Sequence, residues 1–229
     1  MHLVLFDIDG TLTHSQTIDG ELYLRSLAEV FGFTDVGADW SAYRHTTDSG
    51  ILQEIFEARV GREPSAADVT TFRKHFIDAI AAAAARAPFR EIDGAGLALS
   101  HVGQLPSYRV ALATGGWSDS ARCKMRSAGM DYDALPAASA DDAISRVSIM
   151  RIAMDRASSR LGGRPDRIVY IGDAIWDARA CRELGLPFIG IAAGAGAERL
   201  RAEGAHAVFA DYSDVEAFCS ALQQALRPG

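Results

Sequence analysis

The sequence predicts an α/β protein: a doubly wound parallel sheet that carries an inserted, all-helical unit. Three observations lead there. Short apolar runs, too short for helices, recur with helical segments between them: Leu3 to Ile8, Tyr108 to Ala113, Ile168 to Ile171, Pro187 to Ala192 and Ala207 to Ala210. The rhythm lapses from about Ser15 to Pro88, where helical periodicity continues without a convincing strand. Polar or glycine-bearing turns follow several of the runs, as expected where parallel strands end at a ligand crevice.

Taken in order, Leu3 to Ile8 reads as a strand buried on both faces, with Asp7 interrupting an otherwise continuous apolar run. Helices are expected next over Glu21 to Phe31, Ser49 to Val60 and Ala66 to Arg86. The last contains the alanine run Ala81 to Ala85, of high helix propensity, and Pro88 stops it. The polar turn His14 to Asp19 and the Ala87-Pro88 junction bound this insert. The division is therefore a core of residues 1–14 and 89–229 around a helical unit of residues 15–88. The remaining apolar runs alternate with helices through right-handed crossovers.

Composition narrows the functional classes. With 48% hydrophobic and 23% charged residues over 229 positions, the chain can bury a core, as disordered chains cannot. No window approaches eighteen apolar residues, and His2 and Asp7 stand where a signal peptide would be basic and then apolar, so no membrane partner and a cytoplasmic location are expected. Cys123, Cys181 and Cys219 are odd in number and widely spaced, which predicts reduced thiols on helices and no structural zinc. Net charge is −7, and apart from Lys74 and Lys124 the basic residues are scattered arginines. There is no basic stripe for nucleic acid.

Three turns carry the chemistry. Asp7-Ile8-Asp9-Gly10-Thr11 sets two carboxylates two residues apart at a strand end, where a buried charge needs a partner. Gly10 permits a tight turn or a close approach, and Thr11 offers a hydroxyl and an amide. Thr114-Gly115-Gly116 could hold an anion with its hydroxyl and amides, or be a plain loop. Gly172-Asp173-Ala174-Ile175-Trp176-Asp177 brings two more acids to the same edge, or makes a turn and helix cap. Four carboxylates converging on one crevice repel one another unless a hard cation such as Mg2+ lies among them.

Together these motifs, a basic residue ahead of the Ile168 strand, and the place of the helical insert resemble the haloacid dehalogenase superfamily, in particular its C1-capped, phosphoglycolate phosphatase-like members. The resemblance spans the chain. It implies a Rossmann-like core with a helical cap, and a Mg2+-dependent phosphatase acting on a small phosphorylated metabolite as a monomer or homodimer. Asp7 would attack phosphorus and become an aspartyl-phosphate, while Asp9 would protonate the leaving alkoxide and then activate water. Asp7, the backbone carbonyl of Asp9, and Asp173 would bind the metal. Asp177 would act from behind them, through a bound water or on the basic residue, and Thr114 and Gly115 would hold phosphoryl oxygens.

Two departures from that family stand out. Its basic residue is usually lysine, but Asp141 to Asp155 contains none, so Arg146 is expected in the role with Arg151 as second choice. Gly116 stands where asparagine is common. In the cap, Arg44, Thr47 and Asp48 could meet substrate, or Thr47 and Asp48 could simply cap a helix. Trp117 could shield the pocket or pack. The alternatives are a phosphomutase of the β-phosphoglucomutase type, which shares these motifs, and a non-catalytic binding protein. Dehalogenase and phosphonoacetaldehyde hydrolase branches lack an acid at the Asp9 position.

Overall fold

β1 (His2–Phe6) is apolar towards both sides, and its neighbours complete that burial. In the computed structural model, which describes residues 1–225, it lies at the centre of six parallel strands. The others are β2 (Tyr108–Ala113), β3 (Ala137–Ala138), β4 (Arg167–Gly172), β5 (Phe188–Ile191) and β6 (Ala207–Phe209), in the spatial order β3-β2-β1-β4-β5-β6. His2 to Phe6 align with Tyr108 to Leu112 on one side and with Arg167 to Ile171 on the other.

Strand alternation divides the core in two. Val4, Phe6, Val110, Leu112, Val169 and Ile171 face α4 (Ala95–Gln104), α5 (Ser118–Ser127) and α9 (Val215–Ala225). Leu3, Leu5, Ala111, Ala113 and Tyr170 face α6 (Arg146–Leu161), α7 (Ile175–Leu184) and α8 (Gly194–Ala202). The sheet is thus covered on both faces, as a parallel sheet requires. Strand order reverses at β1, so the crevice where such folds bind ligands opens at the carboxyl ends of β1, β2 and β4.

Over that crevice sit α1 (Gln16–Phe31), α2 (Asp48–Val60) and α3 (Ala66–Arg86). Their core is aromatic: Tyr23, Phe56, Phe72 and Phe76 pack together, and Trp117 enters from the loop before α5. Trp117 is therefore a packing residue that joins the two layers. Ser65 and Asp68 form a capping box at the start of α3. Among the described residues no helix is long and apolar enough to cross a membrane.

One strand was not expected, and one expected turn needs correction. β3 has only two residues, Ala137 and Ala138, so no apolar run announces it; Leu112 and Ala113 pull it into register. The expected turn His14 to Asp19 is helical from Gln16 onward, with Ser15 at the N-cap position. That earlier start places Gln16, Asp19, Gly20 and Tyr23 on one face, three and four residues apart, towards the crevice.

Phe76 is fully buried at the join between the helices and Trp117. Phe76→Ala should cost about 3–5 kcal/mol of stability, read as a lower urea midpoint.

Candidate active site

Asp7 leaves the end of β1 still held to the sheet, its amide donating to the Ile171 carbonyl at 2.9 Å. The chain then folds back, with the amides of Thr11, Leu12 and Thr13 all directed at the Ile8 carbonyl. Gly10 makes this turn at φ 76°, and a Cβ there would fall on the Asp173 carboxylate. Both backbone conformation and space thus require glycine. Asp173 follows β4 directly. A Cβ on Gly172 would lie 2.6 Å from Asp177 Oδ2, so this second glycine lets α7 press its acid against the strand end.

Asp177 is completely buried. Its Oδ2 accepts the Ala174 amide at 3.2 Å, capping α7, and its Oδ1 lies 2.9 Å from Arg146 Nη1. Both readings of this acid hold: it caps a helix and it holds the arginine. Arg146 begins α6 and reaches back over the crevice, with Nη1 3.4 Å from Asp7 Oδ1 and Nη2 3.3 Å from the Thr46 carbonyl. The Tyr170 hydroxyl, which donates to the Ala113 carbonyl at 2.9 Å, lies 3.3 Å from the same Nη1. Arg151 is exposed on an outer groove that does not include Asp7.

Across the crevice, Thr114 extends from β2, and its Oγ1 accepts the Gly116 amide at 3.1 Å, which leaves the hydroxyl proton for an anion. Gly115 lies against Arg146, where a Cβ would strike the guanidinium. The Gly115 carbonyl takes the Asp48 amide at 2.8 Å. A Cβ at Gly116 would stand 3.5 Å from Asp9 Oδ2 and 3.6 Å from Asp48 Oδ2. Asp48 occupies part of the ground that a side chain at Gly116 would have reached.

The cap residues are less alike than their sequence suggests. Asp48 is buried, its Oδ2 accepting the Trp117 amide at 2.8 Å, and it lines the cleft. Thr47 also lines the cleft, but its Oγ1 caps α2 through the Gly50 amide and donates to the Ile144 carbonyl at 2.6 Å. Arg44 is not in this cleft: it is exposed on the outer side, its amide held by Glu54. The chain bends over residues 43–45, and Thr46, Thr47 and Asp48 then line the cleft.

Charge dominates the centre. Burial pushes the Asp7 carboxyl up to about 8, with Arg146 opposing and Asp177 and Asp9 reinforcing the rise. Burial next to Asp7 and Asp177 drives Asp173 well above the carboxylate range, and burial raises Asp177 against the pull of Arg146. Carboxylate oxygens of Asp7, Asp173 and Asp177 lie within 4.8 Å of one another, and Arg146 alone faces them as a cation. An all-oxygen, electron-rich donor set of this kind fits Mg2+. With Asp177 committed to Arg146, Asp7 and Asp173 are the carboxylates free to hold it. The Asp9 carbonyl, which accepts no backbone hydrogen bond among the described residues outside regular elements, suits the third position.

Five further residues shape the site without a motif to mark them: Ser15, Gln16, Asp19, Lys124 and Tyr170. Ser15 Oγ donates to Asp9 Oδ1, and Gln16 Nε2 to Asp173 Oδ2 at 2.7 Å. Lys124 Nζ lies 2.7 Å from Asp9 Oδ1 and 2.6 Å from Asp19 Oδ1, with no exposed surface. One signal was available for it: Lys124 falls three residues from Ala121 and beside Met125, on the buried face of α5. Cys123, Cys181 and Cys219 are all free thiols on helices.

Residues 1–185 match the family model of haloacid dehalogenase-like hydrolases. Comparison with curated proteins gives no match. Among solved structures, a hydrolase from Pseudomonas syringae superposes with a TM-score of 0.75 at 19% identity, over 96% of this chain and 98% of that one. A putative β-phosphoglucomutase from Bacteroides vulgatus gives 0.70 at 17% identity, over 100% and 91%. A putative phosphoglycolate phosphatase from Lactobacillus plantarum gives 0.63 at 18%, over 96% and 98%. At these identities the likeness concerns the fold.

A carboxyl raised on folding destabilises the fold once it ionises. The stability contributed by neutral Asp7 is therefore complete below about pH 4 and lost as pH rises through about 8. Metal-free protein should melt at lower temperature at pH 8 than at pH 6, while magnesium affinity rises over the same interval, about tenfold per pH unit for each proton displaced. Thermal melts after chelation and calorimetric titration at the two pH values measure both trends. In Asp173→Asn the magnesium affinity should fall at either pH.

Proposed function

The chain belongs to the haloacid dehalogenase-like hydrolases, and on that premise we propose that it is a Mg2+-dependent phosphatase of small phosphate monoesters, working through an aspartyl-phosphate on Asp7. The observation that carries this reading is the arrangement around Asp7 Oδ1: Arg146 3.4 Å away, held by Asp177, with Thr114 lining the same cleft. A nucleophilic carboxylate, a fixed cation and a hydroxyl donor around one small space suit a phosphoryl group.

In the first half-reaction Asp7 forms a bond to phosphorus as the ester P–O bond breaks, and Asp9 gives its proton to the departing oxygen. In the second, Asp9 takes a proton from water, the resulting hydroxide attacks the same phosphorus, and inorganic phosphate leaves with Asp7 restored. Arg146 and Thr114 hold the equatorial oxygens, where negative charge spreads in each transition state. Bound magnesium, held by Asp7, Asp173 and the Asp9 carbonyl, supplies further neutralisation of that charge.

The cleft also speaks to the leaving group. Its lining beyond Asp7 includes Asp19, Tyr23, Trp40, Thr47 and Asp48, and among the described residues Arg146 is the one basic side chain in it. That arginine is already shared by Asp7 and Asp177. A phosphomutase grips a second phosphate on its substrate, and among the described residues the cleft lining holds no second cation, which favours hydrolysis. Hydrolysis of a monoester with an uncharged, hydroxylated leaving group is the reading this charge pattern favours. Arg44, outside the cleft, is not placed to meet a substrate carboxylate.

A panel of phosphorylated metabolites, assayed for phosphate release with and without magnesium, tests the activity; no release from any member with magnesium present would leave a binding protein. Asp7→Asn should abolish turnover, and beryllium fluoride with magnesium should attach to Asp7 in the wild type. Arg146→Ala should lower kcat/KM on the order of 10²- to 10³-fold. Arg146→Lys should recover part of it, and Arg151→Ala should be silent.

A further inference from the structure

Lys124 is the buried charge that the proposed chemistry leaves unexplained. It has no exposed surface, and removing an ammonium from water is costly unless every proton finds an acceptor. Here each does. Lys124 Nζ meets Asp9 Oδ1 at 2.7 Å, Asp9 Oδ2 at 2.8 Å and Asp19 Oδ1 at 2.6 Å, three acceptors for three N–H groups. Burial works against its charge, but Asp19, Asp9 and Asp48 outweigh burial and keep it protonated.

Asp9 is thus fixed at both oxygens by one ammonium, with Ser15 Oγ added at Oδ1. Its carboxylate nevertheless keeps 19% of its surface towards the cleft. The brace for Lys124 comes from the cap: Asp19 lies in the first turn of α1, and the same α1 face lines the cleft. A plain structural staple would have no need to end on the carboxylate that faces substrate.

We infer that Lys124, braced by Asp19, is the positioning residue for Asp9: it fixes the direction from which that carboxyl delivers its proton to the leaving group. Lys124 itself transfers no proton. The inference rests on the acid role of Asp9 proposed above, and the two can be separated.

The experiment uses a series of substituted phenyl phosphates with magnesium, from good leaving groups such as 4-nitrophenolate to poor ones such as 4-methoxyphenolate. The readout is the slope of log kcat/KM against leaving-group pKa, which steepens when protonation of the departing oxygen fails. Wild type should give a shallow slope and Asp9→Asn a steep one. Lys124→Met should also be steep, its poorest substrate losing roughly 10²-fold more than its best, the scale of a misplaced catalytic group. Each slope is taken within one preparation, so an unfolded fraction cancels. Should Lys124→Met not fold, Lys124→Met with Asp19→Asn removes an anion together with the cation and is read in the same way. A steep slope for Asp9→Asn with a shallow one for the lysine variant, whatever its overall rate, would reduce Lys124 to a structural staple and overturn the inference. A shallow slope for Asp9→Asn would remove the acid role itself, and the Lys124 assignment with it.

Discussion

Carboxylate crowding at the strand ends is the constraint to which the rest of the structure answers. Asp7, Asp9, Asp19, Asp48, Asp173 and Asp177 surround one crevice, and two cations, Arg146 and Lys124, are set among them. The two divide the acids between them. Arg146 pairs with Asp177 and approaches Asp7, while Lys124 pairs with Asp9 and Asp19 and faces Asp48. An arrangement left this electronegative is unfavourable to the fold and favourable to a divalent cation and a phosphoryl transition state. It is the kind of local destabilisation that active sites retain and a large core offsets.

The sheet makes the crowding possible. Parallel pairing brings the ends of β1 and β4 side by side, and the Asp7 amide bound to the Ile171 carbonyl extends that pairing one residue past the last strand position. Two missing side chains then decide how close the acids come. Gly10 leaves room for Asp173, and Gly172 leaves room for Asp177. A methyl group at either would push an acid off its strand end. At Gly172 the close approach is the contribution; at Gly10 the positive φ adds to it.

The core was legible from sequence because a parallel sheet leaves a plain trace: apolar runs at β1, β2, β4 and β5, the first three followed by polar residues at the ligand-facing end. The helices of the insert were legible too, the last through its alanine run and Pro88, although α1 begins at Gln16, earlier than its periodicity suggested. β3 was not, because a two-residue strand has no periodicity to detect. The acids near the strand ends could be placed for the same topological reason as the strands. Lys124 and Asp19 could not, because each lies inside a helix, separated from Asp9 by tertiary folding alone. A lone lysine in a sequence reads as solvated until the apolar face around it is noticed. Arg44 shows the converse: three residues before Thr47 in sequence, it lies exposed on an outer groove while Thr47 and Asp48 line the cleft.

The helical cap and the catalytic core are consequently not separable modules at their boundary. The Asp48 carboxylate takes the Trp117 amide, the Thr46 carbonyl meets Arg146, and Asp19 shares its ammonium with Asp9. The last two join a cap residue to a group that the proposed chemistry needs in place. In this chain, then, the surface that would choose a leaving group also sets the orientation of the arginine and the acid. An exchange of cap helices that kept the core motifs but replaced Asp19 would leave Lys124 with fewer acceptors than buried protons, and one that replaced Asp48 would leave the Trp117 amide without its carboxylate. Through burial of an uncompensated charge, its effect would reach the chemistry as well as substrate choice. Under the proposed chemistry, specificity and catalysis would be coupled by hydrogen-bond accounting at a few positions, and a transplantable cap would have to carry those positions with it.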